Sequence, residues 1–411
     1  MTNLRPPVES ASRAFSRSPA SPAVYVHVPF CRSRCAYCAF YTGEDLRRVP
    51  DYLRAVALEA GLRAASAGTR AATVYVGGGT PSVLRPAELA GLLEAVRRAW
   101  EPDREAEITV EVNPGAGADF RGLRAAGFNR VSVGVQALDD PLLALLGRPH
   151  TAAQARDAVE AARRAGFDRV SADLLVGVPG VPPIRVAEWV RTLVAAGADH
   201  VSVYALELHP GTELHDRAER GAWSPPAERE EEAQWLAAAD ALEASGLPLY
   251  EVSNFARPGA ACRHNLAYWE GRPYVGLGPG AHSYDPAGGP WGTRRWNRPG
   301  LGAYVRALKQ GHPPPGGSER LTREQALLEA LFLWLRRPLP WTEGAWWRFG
   351  VDARTFRDLL DPLVDQGDLD ETLAPTRQGM RRADGLAGWL WERLCRPSRS
   401  RREPPSKMRF S

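Results

Sequence analysis

Three cysteines, Cys31, Cys35 and Cys38, lie within eight residues in the run CRSRCAYC. Thiolates this close on one loop suit a shared metal centre, and soft sulfur selects zinc or an iron–sulfur cluster. A structural zinc site would want a fourth ligand. His27 is near, but on a strand it would have to fold back. A cubane cluster can be held by three cysteines, with its fourth iron open to an exchangeable ligand. The C-x3-C-x2-C spacing points to that case, with zinc as the second reading. Five cysteines in 411 residues do not make a secreted disulfide scaffold, so their clustering implies a reducing compartment.

Other polar residues recur at the ends of apolar runs. Gly77-Gly78-Gly79-Thr80-Pro81 follows one of them, and glycines there let backbone N–H groups approach a ligand closely. Glu111-Val-Asn-Pro114 ends the next run, Gly134-Val-Gln136 the one after. Arg148 follows in LGRPH, and Asp173 sits in ADLLVGVPG. Farther along, His264-Asn265-Leu-Ala-Tyr268-Trp269 precedes YVGLGPGAHSY. If that segment is helical, His264 and Tyr268 share a face.

The elements that must carry these residues alternate. Apolar β-branched runs occupy Val24–Val28, Thr73–Val76, Ile108–Val112, Val131–Val135, Val170–Val176 and Val201–Leu206. Segments with helical spacing separate them, among them Tyr52–Ala65, Ala87–Ala99, Ala152–Ala165 and Val186–Ala195. This order predicts a parallel sheet. A weak repeat reads AGFNRVSVGVQ from Ala126, AGFDRVSADLL from Ala165 and AGADHVSVYAL from Ala196. Each copy is a helix end, a glycine cap, a short loop and a buried strand. Six such units make an open barrel or an extended doubly wound sheet, and in a barrel the chemistry lies at the C-terminal strand ends.

C-x3-C-x2-C after the first strand, with Tyr37 before the last cysteine, resembles the radical S-adenosylmethionine superfamily. The run YVHVPFCRSRCAYCAF narrows the resemblance to the group of oxygen-independent coproporphyrinogen III dehydrogenases (HemN) and their relatives, the HemW heme chaperones. It spans roughly residues 23–390. The resemblance implies an α/β fold, an incomplete (β/α)6 TIM-like barrel followed by a small, mostly α-helical, winged-helix-like C-terminal domain. It implies a [4Fe-4S] cluster on Cys31, Cys35 and Cys38. It further implies S-adenosylmethionine held by Tyr25, Tyr37, Gly78, Gly79, Thr80, Glu111, Gln136, Arg148, Asp173 and Ala205. Acids and amides can hold hydroxyls and an ammonium, and an arginine can pair a carboxylate.

Two features separate the relatives. The dehydrogenases carry a fourth cysteine two residues after the third, where this chain has Phe40. HNxxYW is a hallmark of the HemW-like group, and the resemblance implicates its histidine, His264, in heme binding. A neutral imidazole is a common axial ligand of heme iron, and Tyr and Trp offer flat apolar contact. The plainer reading is a hydrogen-bonded histidine beside a hydrophobic cluster. Cys262 and His282 are secondary candidates, against a buried inert thiol and a stabiliser of the glycine-rich turn. The expected function is a heme chaperone that delivers heme to an acceptor protein, respiratory and membrane-associated. The alternatives are a coproporphyrinogen III dehydrogenase or a radical enzyme on another substrate. The sequence identifies no catalytic residue.

Composition bounds the rest. Hydrophobic residues are 44% of the chain and charged residues 24%, which is ordinary for a globular protein. The basic residues are arginines except Lys309 and Lys407, a coding bias rather than a nucleic-acid signal. Residues 396–411 contribute +5 and residues 1–22 contribute +2 to the net +4, leaving −3 between them. That core lacks the basic footprint of a nucleic-acid binder. The most apolar run, Leu327–Leu335, already contains Glu329 and is far too short to span a bilayer. Residues 1–22 lack the apolar run of a secretory signal and, with the basic tail 396–411, read as disordered. The domain reading is a barrel with the HNxxYW segment over 23–300 and a C-terminal domain over 301–395, in a cytoplasmic protein.

Overall fold

The computed structural model describes residues 21–67, 70–115, 117–342 and 346–395. Both end segments read as disordered lie, apart from residues 21 and 22, outside the described residues.

Six strands run parallel in chain order: β1 (Ala23–Val28), β2 (Arg70–Gly78), β3 (Glu101–Val112), β4 (Arg130–Gln136), β5 (Arg169–Val176) and β6 (His200–Ala205). Helices α1 (Val49–Ala67), α2 (Pro86–Ala99), α3 (Phe120–Ala125), α4 (Asp140–Leu145), α5 (Ala152–Arg164) and α6 (Pro183–Ala195) lie between them. The strands are near-continuous apolar runs because both faces are covered; Val24, Val26, Val74, Val76, Val131 and Val133 are all buried. This is the expected α/β barrel-type fold, left open.

The repeat has a physical basis. Gly127, Gly166 and Gly197 each take a positive φ, at 106°, 81° and 109°. A helix end reversing into a strand needs that conformation, and side chains disfavour it. Two residues later, Asn129 accepts from the Ile108 N–H at 2.8 Å, and Asp199 accepts from the Val170 N–H at 2.9 Å. Each side chain thus ties its loop to the preceding strand. Helix α5 shows how the connecting helices form. Thr151 and Gln154 make a reciprocal capping box, and Ala155, Ala158, Val159 and Ala162 form the buried stripe.

Both open edges are extended. β9 (Tyr274–Leu277) pairs parallel to β1, and β10 (His282–Asp285), β11 (Thr293–Asn297) and β12 (Gly316–Arg320) continue antiparallel. On the far side β8 (Asn254–Ala256) pairs antiparallel to β6, with β7 (Leu249–Glu251) beyond it. The result is one twelve-stranded mixed sheet. These outer strands have three to five residues, too short to show a period in the sequence.

The remaining helices are α7 (Glu213–Glu219), α8 (Glu228–Ala244), α9 (Arg263–Trp269), α10 (Leu301–Lys309), α11 (Arg323–Leu335), α12 (Ala353–Asp365), α13 (Arg377–Arg381) and α14 (Ala383–Cys395). Leu301, Tyr304, Val305 and Leu308 pack into the barrel core, and a second core begins at Leu321. That second core is helical. Its described residues form, besides the helices, an isolated bridge between Leu369 and Pro375. No helix among the described residues is long and apolar enough to cross a membrane.

Candidate functional site

Strand β1 delivers the cysteine loop to the C-terminal mouth of the barrel, and backbone hydrogen bonds fix it there. The Cys31 N–H donates to Gly43 O at 3.0 Å. From the turn after β2, Gly79 N–H donates to Val28 O and Thr80 N–H to Phe30 O, at 2.9 and 2.7 Å. A Cβ on Gly79 would lie 2.6 Å from Phe30 O, and one on Gly78, whose φ is +109°, 2.4 Å from the His27 ring. These glycines therefore let two loops of the chain meet. Cys31 Sγ lies 3.4 Å from the Thr80 hydroxyl. From the far side of the barrel, Arg148 Nη1 donates to Cys35 Sγ at 3.2 Å. Burial raises the thiol pKa of Cys31 and of Cys38.

The three cysteines line a cavity of about 450 Å³, within the range of small-molecule sites. Tyr37, Gly78, Gly79, Thr80, Glu111, Gln136, Arg148, Asp173 and Ala205 line the same cavity. The structure thus brings together nine of the ten residues expected to hold S-adenosylmethionine. Tyr25 is the exception. Its hydroxyl lies 3.2 Å from His27 Nδ1, and it lines a neighbouring cavity.

Two half-buried carboxylates face the first cavity. Glu111 accepts from the Tyr75 hydroxyl and the Gly78 N–H, at 2.9 and 3.0 Å. Burial, with the charge of Asp173 beside it, pushes its pKa up to about 7. Asp173 accepts from the Ser132 hydroxyl at 3.1 Å, and burial raises its pKa also. Arg148 Nη2 donates to Asn113 Oδ1 and Gly134 O, while its buried Nε has no partner among the described residues. Gln136 holds a left-handed φ of 68°, uncommon for a non-glycine residue and often found at functional sites.

Sequence reading missed Asn113, Ser132, Arg130 and His200, which line the same cavity. The repeat held the only available signal, since Arg130 and His200 occupy corresponding strand starts within it.

The donor set fits an iron–sulfur cluster better than one metal ion. Among the described residues no three His, Cys, Asp or Glu side chains converge to hold a single ion. In a cluster each thiolate binds a different iron, so the sulfurs need not meet at one point. Three thiols, a glycine cradle, an arginine with an unsatisfied N–H and two carboxylates around one cavity also suit a ligand with carboxylate and cationic groups.

The HNxxYW segment is helical and lies in α9. His264 is 1% exposed. Its Nδ1 lies 2.8 Å from the Thr73 hydroxyl and its Nε2 2.9 Å from the Tyr268 hydroxyl. Burial, reinforced by Arg130, lowers its pKa to about 3. It lines neither cavity. Cys262 is fully buried, donates to Glu107, and has its pKa pushed up to about 12 by burial. Tyr268 and His282 instead line the second cavity, of about 700 Å³, on the other side of the cysteine loop.

Comparison with known proteins adds five findings. The Radical SAM superfamily matches residues 25–193. The heme chaperone HemW of Mycobacterium tuberculosis is 40% identical over 377 residues, covering 89% of this chain and 94% of that one. HemW of Bacillus subtilis is 33% identical, covering 77% and 83%. Bovine radical S-adenosyl methionine domain-containing protein 1, mitochondrial, is 38% identical, covering 94% and 90%. In fold, the chain is similar to the Escherichia coli coproporphyrinogen III oxidase HemN, with a TM-score of 0.75 at 24% identity over 92% of both chains.

Proposed function

This chain belongs to the HemW family of the radical SAM superfamily, and on that premise we propose that it is a heme chaperone. It binds heme and transfers it to an acceptor protein. The observation that carries this reading is the 40% identity to a heme chaperone along nearly the whole of both chains.

In this reading Cys31, Cys35 and Cys38 hold a [4Fe-4S] cluster, and the strand-end residues around them hold S-adenosylmethionine. Once bound, these groups supply one-electron chemistry. The protein's own part is positioning and electrostatics. Gly78 and Gly79 keep the cysteine loop against β2. Glu111 and Asp173 offer negative charge to a cationic ligand, and Arg148 offers a guanidinium to a carboxylate. Phe40 stands where the dehydrogenases have a fourth cysteine, which favours the chaperone over the enzyme. The acceptor is a respiratory, membrane-associated heme protein, reached from the cytoplasm.

The test is an anaerobic heme titration of cluster-reconstituted protein, followed by visible absorption. Saturable binding is expected, with no conversion of coproporphyrinogen III to protoporphyrinogen. Absence of saturable binding, or turnover of the porphyrinogen, overturns the reading.

A further inference from the structure

We propose that the second cavity is the seat of the porphyrin, that His282 is its iron ligand, and that His264 is a positioning residue acting through Tyr268. The inference rests on the heme-chaperone reading and names the site within it.

An axial ligand must offer a ring nitrogen to a cavity wide enough for a flat macrocycle. His264 does not meet this requirement, because both ring nitrogens are engaged and the side chain is buried. His282 does meet it. It opens strand β10, is exposed, lines the cavity, and its imidazole has no hydrogen bond among the described residues. Its backbone neighbours are fixed: Asn297 N–H donates to Ala281 O at 2.9 Å, and Gly276 N–H donates to the Ser283 hydroxyl at 3.0 Å. Its ring stacks on Trp296, its cross-strand partner, at 6.5 Å between centroids and 26° between planes. Such a pair orients the imidazole without occupying either nitrogen. A neutral imidazole is the commonest protein ligand for a metal.

The cavity has the other features a heme requires. Tyr268 and Tyr274 meet edge to face at 4.7 Å and form an aromatic wall. Phe40, 66% exposed, stands at the mouth and lines both cavities. Most of its ring surface is open, and a porphyrin face would cover it. Arg34, which also lines both cavities, can pair a propionate. The HNxxYW motif then contributes through its tyrosine. His264 fixes the Tyr268 hydroxyl at 2.9 Å from Nε2 and so sets the position of the ring.

Anaerobic heme titrations of the full, cluster-reconstituted chain test this, read by visible absorption and electron paramagnetic resonance. Cluster absorbance and circular dichroism equal to wild type identify folded variants. His282→Ala is expected to weaken heme binding at least about tenfold and to change the ligand signature, and added imidazole should restore that signature. His264→Asn and Tyr268→Phe are expected to weaken binding by the same smaller factor and leave the signature unchanged. If His282→Ala fails to fold, His282→Met is read in its place, with a changed signature expected. Wild-type affinity and signature in the His282 variant, or loss of the signature in His264→Asn but not in Tyr268→Phe, overturns the assignment. Wild type that binds no heme overturns the chaperone reading itself, a distinguishable result.

Discussion

The electrostatics of the cluster cavity concentrate on Glu111. Burial and the neighbouring Asp173 carboxylate raise its pKa to about 7, against the opposing hydrogen bonds from Tyr75 and Gly78. The cavity's lining therefore favours the neutral acid below that pH. In stability, this contribution is fully present below the unfolded pKa of a glutamic acid and is lost as pH rises through about 7. A ligand carrying sulfonium and ammonium charges favours the ionised form, so its binding displaces a proton. S-Adenosylmethionine affinity, measured by calorimetry on cluster-reconstituted protein, is expected to rise from pH 6 to pH 8. Glu111→Gln should flatten that dependence and weaken binding at pH 8 by about tenfold, the worth of a charged hydrogen bond. An unchanged pH profile in the variant would assign the proton to another group.

At the scale of elements, one buried carboxylate joins four of them. Glu59, on α1, accepts from the Gly278 N–H after β9 at 2.8 Å, from Asn297 on β11 at 2.8 Å and from the Tyr304 hydroxyl on α10 at 2.7 Å. Arg63 approaches it at 3.3 Å. This contact sets the turn from β9 into β10, the turn that places His282. Glu59→Ala takes the carboxylate from three donors and from half-buried Arg63, which keeps its bond to Asn297 Oδ1 at 3.0 Å, and is expected to cost roughly 3–5 kcal/mol. Urea unfolding at an unchanged m-value checks it. A loss below about 1 kcal/mol would mean that water replaces the carboxylate.

For the molecule as a whole, the apolar residues form two cores, and their stabilities are predicted to separate. The C-terminal helices meet the rest of the chain through ion pairs, Arg377 with Asp240 and Glu243 and Arg381 with Glu232, and through Tyr284 and Trp291, which pack against the second core, Trp291 stacking on Phe349 at 5.5 Å. Partly exposed pairs of this kind contribute about 0–1 kcal/mol each, far less than the apolar burial within either core. Leu327→Ala, in the second core, is expected to cost about 2–5 kcal/mol. Hydrogen exchange should accelerate over residues 323–395 while the barrel strands and cluster loading stay as in wild type. Equal acceleration in β1–β6 would show that the two cores unfold together.

The family resemblance supplied nine of the residues that line the cavity, and sequence alone determined the order of strands and helices and the cysteine loop after the first strand. These are local signals: apolar β-branched runs, glycines at fixed offsets, and the spacing of three sulfurs. It left Arg130 and His200 unassigned because a residue at a strand start shows its exposure to a cavity only once the barrel curves. It did not reveal the outer strands, which are too short for periodicity and owe their pairing to a sheet edge that exists only in three dimensions. It marked His264 and Tyr268 as partners on one helix face, but not which of them faces open space. Tertiary packing decided that, because α9 turns the imidazole toward Thr73 and leaves the tyrosine ring on the cavity wall.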